Sequence, residues 1–170
     1  MSRTSAPTGP EPLTGAHRTE HFTCGKPALD TFLKRFALIN QQNGTARSYV
    51  AQRNGDVVAY YSLSAASVEV ERTPARVSKG LPKHPIPMTL LARLAVDSSE
   101  QGHGLGASLL QDALLRHLQA EAVIGSRALI VHAKDETAVA FYRKFGFAPS
   151  PLDPLHLFLL TKDIKKTLGF

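Results

Sequence analysis

The apolar residues in the first part of the chain recur at the spacing of a helix. They begin after Pro27, which suits the first turn of a helix. They come every three or four residues and so share one face, at Leu29, Phe32, Leu33, Phe36 and Ile39 or Asn40. Gly44 is a natural end for this helix. We therefore expect an amphipathic helix that buries these apolar side chains.

Two strand-like segments joined by a tight turn follow the helix. Arg47–Arg53 is predicted to be a strand, and the Asn54-Gly55 pair is typical of a two-residue hairpin turn, because both positions require positive φ. Residues 56–70 are rich in Val, Tyr, Ser and Ala and are predicted to form the return strand. Residues 73–87 contain five Pro or Gly, so we expect a long loop with a helical turn.

The second half of the chain twice follows a buried strand with a helix. Residues 88–96 and 128–133 are nearly continuous apolar runs, as expected of interior strands. A glycine-rich turn and a helix follow the first run, and the buried face of this helix is marked by Leu105, Leu109, Ala113, Leu114 and Leu118. A helix over residues 136–145, capped by Asp135, follows the second. With a last strand over residues 155–161, the pattern predicts an α/β fold with a mixed sheet.

Length and composition limit the classes of protein. The chain has 170 residues, of which 43% are hydrophobic, and we expect one domain over residues 17–170. Residues 1–16 contain few apolar side chains and are expected to form a disordered tail. The sequence has no apolar run of the ~20 residues that a membrane span needs and no signal peptide. Its single cysteine excludes an internal disulfide. These features predict a cytoplasmic protein that does not bind membranes.

The strongest candidate for chemistry is a glycine-rich segment between a buried strand and a helix, Gln101-Gly102-His103-Gly104-Leu105-Gly106. Glycine lets the backbone approach a ligand closely. The free N–H groups at a helix N-terminus bind anions such as a pyrophosphate. The segment lacks the Gly-Lys-Ser/Thr ending of a Walker loop and does not fit the G-x-G-x-x-G pattern. Taken alone, it is also consistent with a simple glycine turn.

A second segment makes the interpretation more specific. After the next strand, residues 135–147 are DETAVAFYRKFGF. Together, Q-x-x-G-x-G after the first strand and A-x-x-F-Y-x-x-F-G-F after the second resemble the GNAT superfamily of N-acetyltransferases. This resemblance covers about residues 88–162. It implies the GNAT fold, in which a central mixed, mostly antiparallel sheet is flanked by helices and splayed between the family's fourth and fifth strands.

The resemblance also implies an acetyl-CoA site in the split between those two strands. The main chain of Leu94 and Val96, with Ala95 between them, would pair with the pantetheine arm. The following loop would hold the pyrophosphate, through Gln101, Gly102, His103, Gly104, Gly106 and Ala107. Asp135 and Phe141 would line the other wall of the site. Tyr142 matches the position whose hydroxyl protonates the departing thiolate.

The chemistry of Tyr142 agrees independently with this role. Aminolysis of a thioester expels a thiolate, so a positioned acid accelerates the reaction. A tyrosine with a pKa of ~10 remains protonated at pH 7 and can donate its proton. The alternative is that Tyr142 packs in the core, because adjacent residues such as Phe141 and Tyr142 point in different directions on a helix.

The first half of the chain resembles one branch of this superfamily. The matching patterns are F-x-C-G-x-x-x-L-D-x-F-L from Phe22, Y-V-A from Tyr49 and L-A-V-D from Leu94. This branch contains the GNAT toxins of type II toxin–antitoxin systems, and the resemblance now extends over about residues 20–162. It implies acetylation of the α-amine of aminoacyl-tRNA, which stops translation, and neutralisation by a ribbon-helix-helix antitoxin.

Positive charge is segregated along the chain, whose net charge is +6. Residues 31–55 contain four Lys or Arg and no acid, and residues 72–93 contain five and no acid. Phosphate contacts require such segregation, although a solvated basic surface has the same composition. The candidate tRNA contacts are Lys34, Arg35, Arg76, Lys83 and Arg93.

The sequence offers no obvious general base. Many GNAT enzymes have an acid on the fourth strand, where this chain has Arg93, and Glu69 and Glu71 are equally consistent with ordinary surface charges. An α-amine with a pKa of ~7.7–8.0 is partly neutral at pH 7, whereas a lysine amine at ~10.4 needs a base. This favours an α-amine as the acceptor. The alternatives are a GNAT enzyme acting on a small-molecule amine or a protein N-terminus, and a degenerate GNAT that only binds CoA or a partner.

The remaining candidate residues are expected to be structural. Cys24 is expected to be a small packed residue, and His132, on a buried strand, to be a hydrogen-bonded core histidine. The histidines lack the spacing of metal ligands, so we predict no metal. Residues 155–160 are equally consistent with a core strand and with a dimer interface, and we expect a homodimer.

Overall fold

The computed structural model describes residues 5–170, which divide into two compact units. Unit 1 comprises residues 5–64 and 92–113, and unit 2 comprises residues 65–91 and 114–170. The strands of the described chain are β1 (Thr8–Pro12), β2 (Arg47–Arg53), β3 (Asp56–Val68), β4 (Ile86–Val96), β5 (Ala128–His132), β6 (Ala148–Pro149) and β7 (His156–Leu160). Its α-helices are α1 (Pro27–Thr31), α2 (Ala37–Gln42), α3 (Ala75–Ser78), α4 (Leu105–Glu121), α5 (Glu136–Lys144) and α6 (Thr161–Leu168).

The strands form one sheet in the order β1-β2-β3-β4-β5-β7-β6. The pairs β1–β2, β2–β3, β5–β7 and β6–β7 are antiparallel, whereas β4 and β5 are parallel. The β4–β5 ladder begins at Thr89 opposite Leu129 and ends at Leu91 opposite Val131. This mixed sheet with its helices confirms the predicted fold class.

Strand β1 lies in the segment for which the sequence predicted a disordered tail. It pairs with β2, and Leu13 directly after it is buried. The expected tail over residues 1–16 is therefore wrong for residues 8–13, while residues 1–4 lie outside the described part of the chain. Main-chain pairing with a neighbouring strand needs no apolar pattern, so composition did not predict β1. That residues 17–170 form one domain stays a prediction.

The predicted hairpin between β2 and β3 is confirmed. Asn54 and Gly55 have φ values of 56° and 89°, the left-handed pair that a two-residue hairpin turn requires. The core of unit 1 lies between these strands and the first helical segment. It consists of buried apolar side chains, among them Phe22, Leu29, Phe32, Leu33, Val50, Val57 and Tyr60.

The first helical segment contains a π-helical turn. α1 and α2 are joined by Phe32–Phe36, in which the N–H of Ala37 donates to the carbonyl of Phe32. This i→i+5 bond encloses one residue more than an α-helical bond, so the positions after it are rotated by about 100°. Phe36 (45% exposed) and Ile39 (52% exposed) therefore face solvent, where the sequence predicted burial, and Ala37 takes the buried position.

Unit 2 has its core on β5 and β7. The core consists of buried side chains from these strands and the 75–91 segment, among them Val77, Ile86, Met88, Ala128, Ile130, Phe158 and Leu160. β7 is thus a core strand, one of the two interpretations that the sequence left open. α6 follows it directly and was not predicted, because it is short and mostly polar. It is fixed to the unit by Ile164, which is 1% exposed.

His132 differs in environment from the prediction. His132 is exposed at the end of β5, and its ring stacks on that of His156 with 4.0 Å between centroids. The prediction of a core histidine was therefore wrong for His132, because the apolar run ends one residue before it. The buried histidine is His117 on α4, which is fully enclosed.

The ring of His117 is held by two threonine hydroxyls. Its Nε2 lies 2.8 Å from Thr161 Oγ1, and its Nδ1 lies 2.8 Å from Thr89 Oγ1. The Thr161 hydroxyl donates to the Ser126 carbonyl at 2.7 Å, so it accepts a hydrogen bond from Nε2–H, and Nδ1 accepts one from Thr89. This network assigns the neutral Nε2–H tautomer, and burial lowers the pKa of His117 to about 4.

The free energy of unfolding is expected to fall between pH 6.5 and pH 4 by up to roughly 3 kcal/mol because of His117. In that interval the unfolded chain protonates this histidine and the folded chain does not, so acid favours unfolding. Urea unfolding at several pH values measures the effect. His117→Gln, although less stable at neutral pH, should lack this slope, and the exposed His21→Gln control should keep it. Equal slopes in His117→Gln and the native chain would contradict the assignment.

Candidate active site

The glycine-rich turn precedes α4 and belongs to unit 1. Gly102 and Gly104 have φ values of 85° and 80°, a region that side-chain-bearing residues rarely adopt. A Cβ atom at either position would meet no protein atom within 4 Å. The backbone conformation therefore requires glycine here, while the space in front of the loop is open to a ligand.

Hydrogen bonds anchor the loop to the segment before α1. The Asp97 carboxylate accepts from the N–H groups of Thr23 and Ser99 at 2.8 and 3.0 Å. Gln101 Nε2 donates to the carbonyls of Val96 (2.9 Å) and Cys24 (3.1 Å). The Gln101 amide, predicted as a cofactor contact, is thus held by the protein backbone, and its first effect is to position the loop.

The three predicted cofactor residues at the end of β4, Leu94, Ala95 and Val96, do not all point the same way. The N–H of Asp97 donates to Val58 of β3 at 2.8 Å. Main-chain groups of successive residues alternate in direction along a strand, so those of Val96 and Leu94 point away from β3 and those of Ala95 point toward it. The Ala95 side chain lies in the core of unit 1. Ala95 is thus a core residue, and the predicted main-chain contacts of Leu94 and Val96 with the cofactor stay predictions.

The N-terminus of α4 has the properties of an anion site. Its first N–H groups, including those of Gly106 and Ala107, have no partner within the helix, and its first turn contains no acidic residue. Glu100 lies close in sequence, but its charge is paired with Arg53. His103 is exposed, with Nδ1 3.3 Å from the Glu100 carbonyl. An oxyanion at this helix end would meet donors without a competing free carboxylate.

Tyr142 lies on α5 in unit 2. Its ring packs edge-on against Phe147 and Phe141, at 5.4 and 5.2 Å between centroids. It is 7% exposed, and this burial raises the pKa of its hydroxyl above the usual range. No hydrogen bond links the hydroxyl to a protein group within residues 5–170. The ring of Tyr142 thus packs against its neighbours, and its hydroxyl keeps its proton at neutral pH.

Asp135 has a defined structural role at the start of α5. Its carboxylate accepts from the N–H of Ala138 at 2.9 Å, which confirms the predicted N-cap. The carboxylate is therefore engaged by the helix, and its predicted role as a cofactor contact stays a prediction. Phe141 is half-buried beside Tyr142, as one wall of a site requires.

The candidate tRNA contacts are divided between the units. Lys34 and Arg35 are exposed on the π-helical turn of unit 1. Desolvation opposes the lowering of the pKa of Asp97, which the hydrogen bonds from Ser99 and Thr23 produce, and Lys34 makes a smaller contribution to the lowering. In unit 2, Arg76 forms an exposed ion pair with Asp163, at 2.7 Å. The two cations of unit 1 are thus less compensated than Arg76.

Arg93 has a contact that sequence reasoning missed. Its guanidinium carbon lies 3.7 Å from the ring centroid of Phe32, a cation–π contact. Phe32 in turn stacks on Tyr60 at 6.2 Å, and the Tyr60 hydroxyl donates to the Leu29 carbonyl at 2.7 Å. The residues of this stack are far apart in sequence, so no local pattern could indicate it. Arg93 is therefore oriented by unit 1 itself.

The other titratable groups add no second reactive centre. Glu69 and Glu71 are exposed, as expected of surface charges. Burial raises the pKa of the Cys24 thiol to about 11, so it is not a nucleophilic thiolate at neutral pH. Within residues 5–170 no three His, Cys, Asp or Glu side chains are grouped to hold a metal. In the same part of the chain no helix is long and apolar enough to cross a membrane.

Comparison with known proteins agrees with this geometry. The family model of the acetyltransferase (GNAT) domain matches residues 44–149. The tRNA-acetylating toxin of Mycobacterium tuberculosis (strain ATCC 25618 / H37Rv) is 46% identical over 160 residues, with 94% of this chain and 96% of that protein covered. The chain belongs to the GNAT family of acetyltransferases.

Two solved structures are similar over almost their whole length. AtaT complexed with acetyl-methionyl-tRNAfMet has a TM-score of 0.86 and 33% identity, with 93% of this chain and 97% of that chain covered. A tyrosine-to-phenylalanine mutant of AtaT, bound to the C-terminus of the antitoxin AtaR and to acetyl-CoA, has a TM-score of 0.80 and 31% identity, with 94% and 97% covered. The recognition of a GNAT toxin from the sequence is thereby confirmed.

Proposed function

We propose that this protein is a toxin that transfers the acetyl group of acetyl-CoA to the α-amine of aminoacyl-tRNA and so blocks translation. The observation that carries the proposal is the 46% identity, over nearly the full chain, to a tRNA-acetylating toxin. The similarity to AtaT with acetylated methionyl-tRNA supports the same acceptor. The exposed cations Lys34 and Arg35, in the same unit as the glycine-rich loop, are the property of this chain that fits an RNA substrate.

Acetyl-CoA is the proposed acetyl donor, and the residues of unit 1 fit it. The open space beside Gly102 and Gly104 and the free N–H groups of Gly106 and Ala107 suit its pyrophosphate. His103 is exposed at the same loop and can add a donor. Leu94 and Val96 lie beyond the last β4–β5 pair at Leu91. Their main-chain groups therefore suit the amides of the pantetheine arm.

Tyr142 is the proposed general acid. The neutral amine nitrogen attacks the carbonyl carbon of the thioester, the N–C bond forms and the C–S bond breaks. The Tyr142 hydroxyl gives its proton to the departing sulfur, which leaves as the CoA thiol. The amide nitrogen loses its surplus proton to water, and Tyr142 recovers one from water. The raised pKa of Tyr142 ensures that the hydroxyl carries this proton when the amine is neutral.

The proposed acceptor does not require a protein base. The α-amine, with a pKa near or below ~7.7–8.0, is partly neutral at pH 7. Glu69 and Glu71 are exposed, as ordinary surface charges are. This is the chemical reason to prefer an aminoacyl ester over a lysine side chain.

The affinity for charged tRNA is expected to fall steeply with salt, because phosphate contacts release counterions. Each lost phosphate contact should lower the log–log salt slope by about one unit. Acetylation of charged tRNA over a salt series measures this, for the native chain and for a variant with alanine at Lys34, Arg35, Arg76 and Lys83. Acetyl-CoA affinity, measured by calorimetry, is the internal control and should change less.

Arg93 is left out of this variant because it stacks on Phe32, so its loss would disturb unit 1. Separate double variants of Lys34 with Arg35 and of Arg76 with Lys83 show which pair contributes. We expect the larger loss from the first pair, because Arg76 is compensated by Asp163. An unchanged reaction in the fourfold variant, or acetylation of a free small amine but not of charged tRNA, would favour the small-molecule alternative. Absence of any acetyl-CoA turnover would favour a binding protein.

The partners follow from the same proposal. A ribbon-helix-helix antitoxin is the proposed neutralising partner, and its existence is supported by the binding of AtaT to the C-terminus of AtaR. We further propose a homodimer in the cytoplasm, where charged tRNA is found. Co-expression with the product of the neighbouring reading frame, followed by sedimentation of the purified complex, tests both assembly proposals.

A further inference from the structure

Phe36 is an apolar ring placed among cations on the surface of unit 1. It is 45% exposed, and the Arg35 guanidinium carbon lies 5.8 Å from its ring centroid. Lys34 is exposed on the same π-helical turn, and Ile39, one turn further, is 52% exposed. Residues 31–55 contain no acidic side chain. The surface thus combines an accessible aromatic face with neighbouring cations.

The local geometry explains why Phe36 is outside. Phe32, at the start of the π-helical turn, stacks inward on Tyr60. Phe36, at its end, points outward because the turn rotates it away from that face. The Arg93 guanidinium carbon also lies 3.7 Å from the ring centroid of Phe32. The stack of Tyr60, Phe32 and the Arg93 guanidinium therefore fixes the inward side of the turn. The Phe36 ring projects from the outward side of this fixed turn.

The turn also lies next to the proposed cofactor loop within unit 1. Thr23 and Cys24, just before α1, accept or donate hydrogen bonds with Asp97, Ser98 and Gln101. The chain segment that ends in Phe36 is thus tied to the segment that begins the loop.

We propose that Phe36 is a stacking platform for an unpaired base of the RNA acceptor, with Arg35 and Lys34 binding the adjoining phosphates. Aromatic faces stack on any base, and flanking cations follow the backbone, which is how proteins bind single-stranded nucleic acid. This inference rests on the proposed function, since the single-stranded end of a charged tRNA carries the amine to be acetylated. The cations that flank Phe36 favour RNA over a second copy of this basic chain.

The first test distinguishes stacking on the Phe36 ring from a contact with any apolar side chain. Phe36→Leu should raise the KM for charged tRNA roughly 5- to 100-fold, the usual range for one lost stacking contact, with the KM for acetyl-CoA unchanged. Phe36→Tyr, which keeps an aromatic face, should restore the native KM. The matched control is Phe170→Leu, at a 75% exposed ring in unit 2, which should leave both KM values unchanged.

The second test is direct, because the chain contains no tryptophan. Phe36→Trp places the chain's single tryptophan at the platform, and a short single-stranded oligoribonucleotide should quench its emission. Phe170→Trp should not be quenched. A native KM for charged tRNA in Phe36→Leu, or an unquenched Phe36→Trp, would overturn the inference. The same holds if Phe36→Leu sediments as a smaller oligomer without a change in this KM.

Failure of the native chain to acetylate charged tRNA would overturn the proposed function instead. Quenching of Phe36→Trp by the oligoribonucleotide would then still show whether Phe36 binds RNA.

Discussion

Tyr142→Phe is expected to lower turnover by ~10²-fold or more, the usual magnitude for loss of a general acid. The variant should fold, because the missing hydroxyl leaves no hydrogen-bond partner unsatisfied within residues 5–170. It should also bind acetyl-CoA with native affinity. Steady-state kinetics and calorimetry on the same preparation measure the two effects. In cells, the variant should be tolerated where the native chain arrests growth.

The control for this substitution is Tyr49→Phe, which removes a hydroxyl from a ring of β2 that stacks on Tyr61. Its turnover should stay near that of the native chain. The raised pKa of Tyr142 adds a second expectation, since the rate should rise as the amine loses its proton and should not decline below ~pH 10 through ionisation of this residue. Near-native turnover in Tyr142→Phe would remove Tyr142 from the mechanism.

Gly104→Glu is expected to reduce acetyl-CoA affinity by roughly two orders of magnitude or more, because it places a carboxylate where an anion must bind. The space beside Gly104 is open in the protein, so the side chain can be accommodated without a clash. The φ of 80° adds local strain of about 1–2 kcal/mol. Calorimetry measures the affinity, and circular dichroism verifies the fold.

Gly80→Glu is the matched control, because Gly80 has a φ of 79° and equally open surroundings in unit 2. It carries the same strain and charge but lies outside the proposed anion site. Its acetyl-CoA affinity should remain near the native value. If Gly104→Glu is folded and binds as tightly as this control, the loop is only a turn, and the pyrophosphate has to be placed elsewhere.

The elements that local chemistry determines could be predicted from the sequence. The β2–β3 hairpin depends on Asn54-Gly55, α5 depends on the Asp135 cap, and the loop depends on glycines at residues 102 and 104. Each of these signals acts over a few residues and is visible without tertiary contacts. The GNAT fold class and the acetyltransferase family were predicted from the resemblance of two such segments to that superfamily.

Elements that depend on distant partners could not be predicted in the same way. β1 is stabilised by pairing with β2, and the outward position of Phe36 follows from one additional residue in a helical turn. The Arg93 contact needs Phe32, which only the fold brings beside it. His117 owes its neutral tautomer to two threonines from other elements. Hydrophobic periodicity contains none of this information.

The π-helical turn at Phe32–Phe36 places two properties, support of the core and contact with the acceptor, on different side chains. Its inward residues, Phe32 and Leu33, are part of the core of unit 1, while its outward residues, Lys34, Arg35 and Phe36, are exposed and can meet the acceptor. Insertion or deletion of one residue in this turn would change which side chains meet the acceptor and leave the loop and Tyr142 unaltered in sequence. A change of one residue in the length of this turn is therefore expected to alter the RNA that this protein selects while its acetyl-transfer chemistry stays the same.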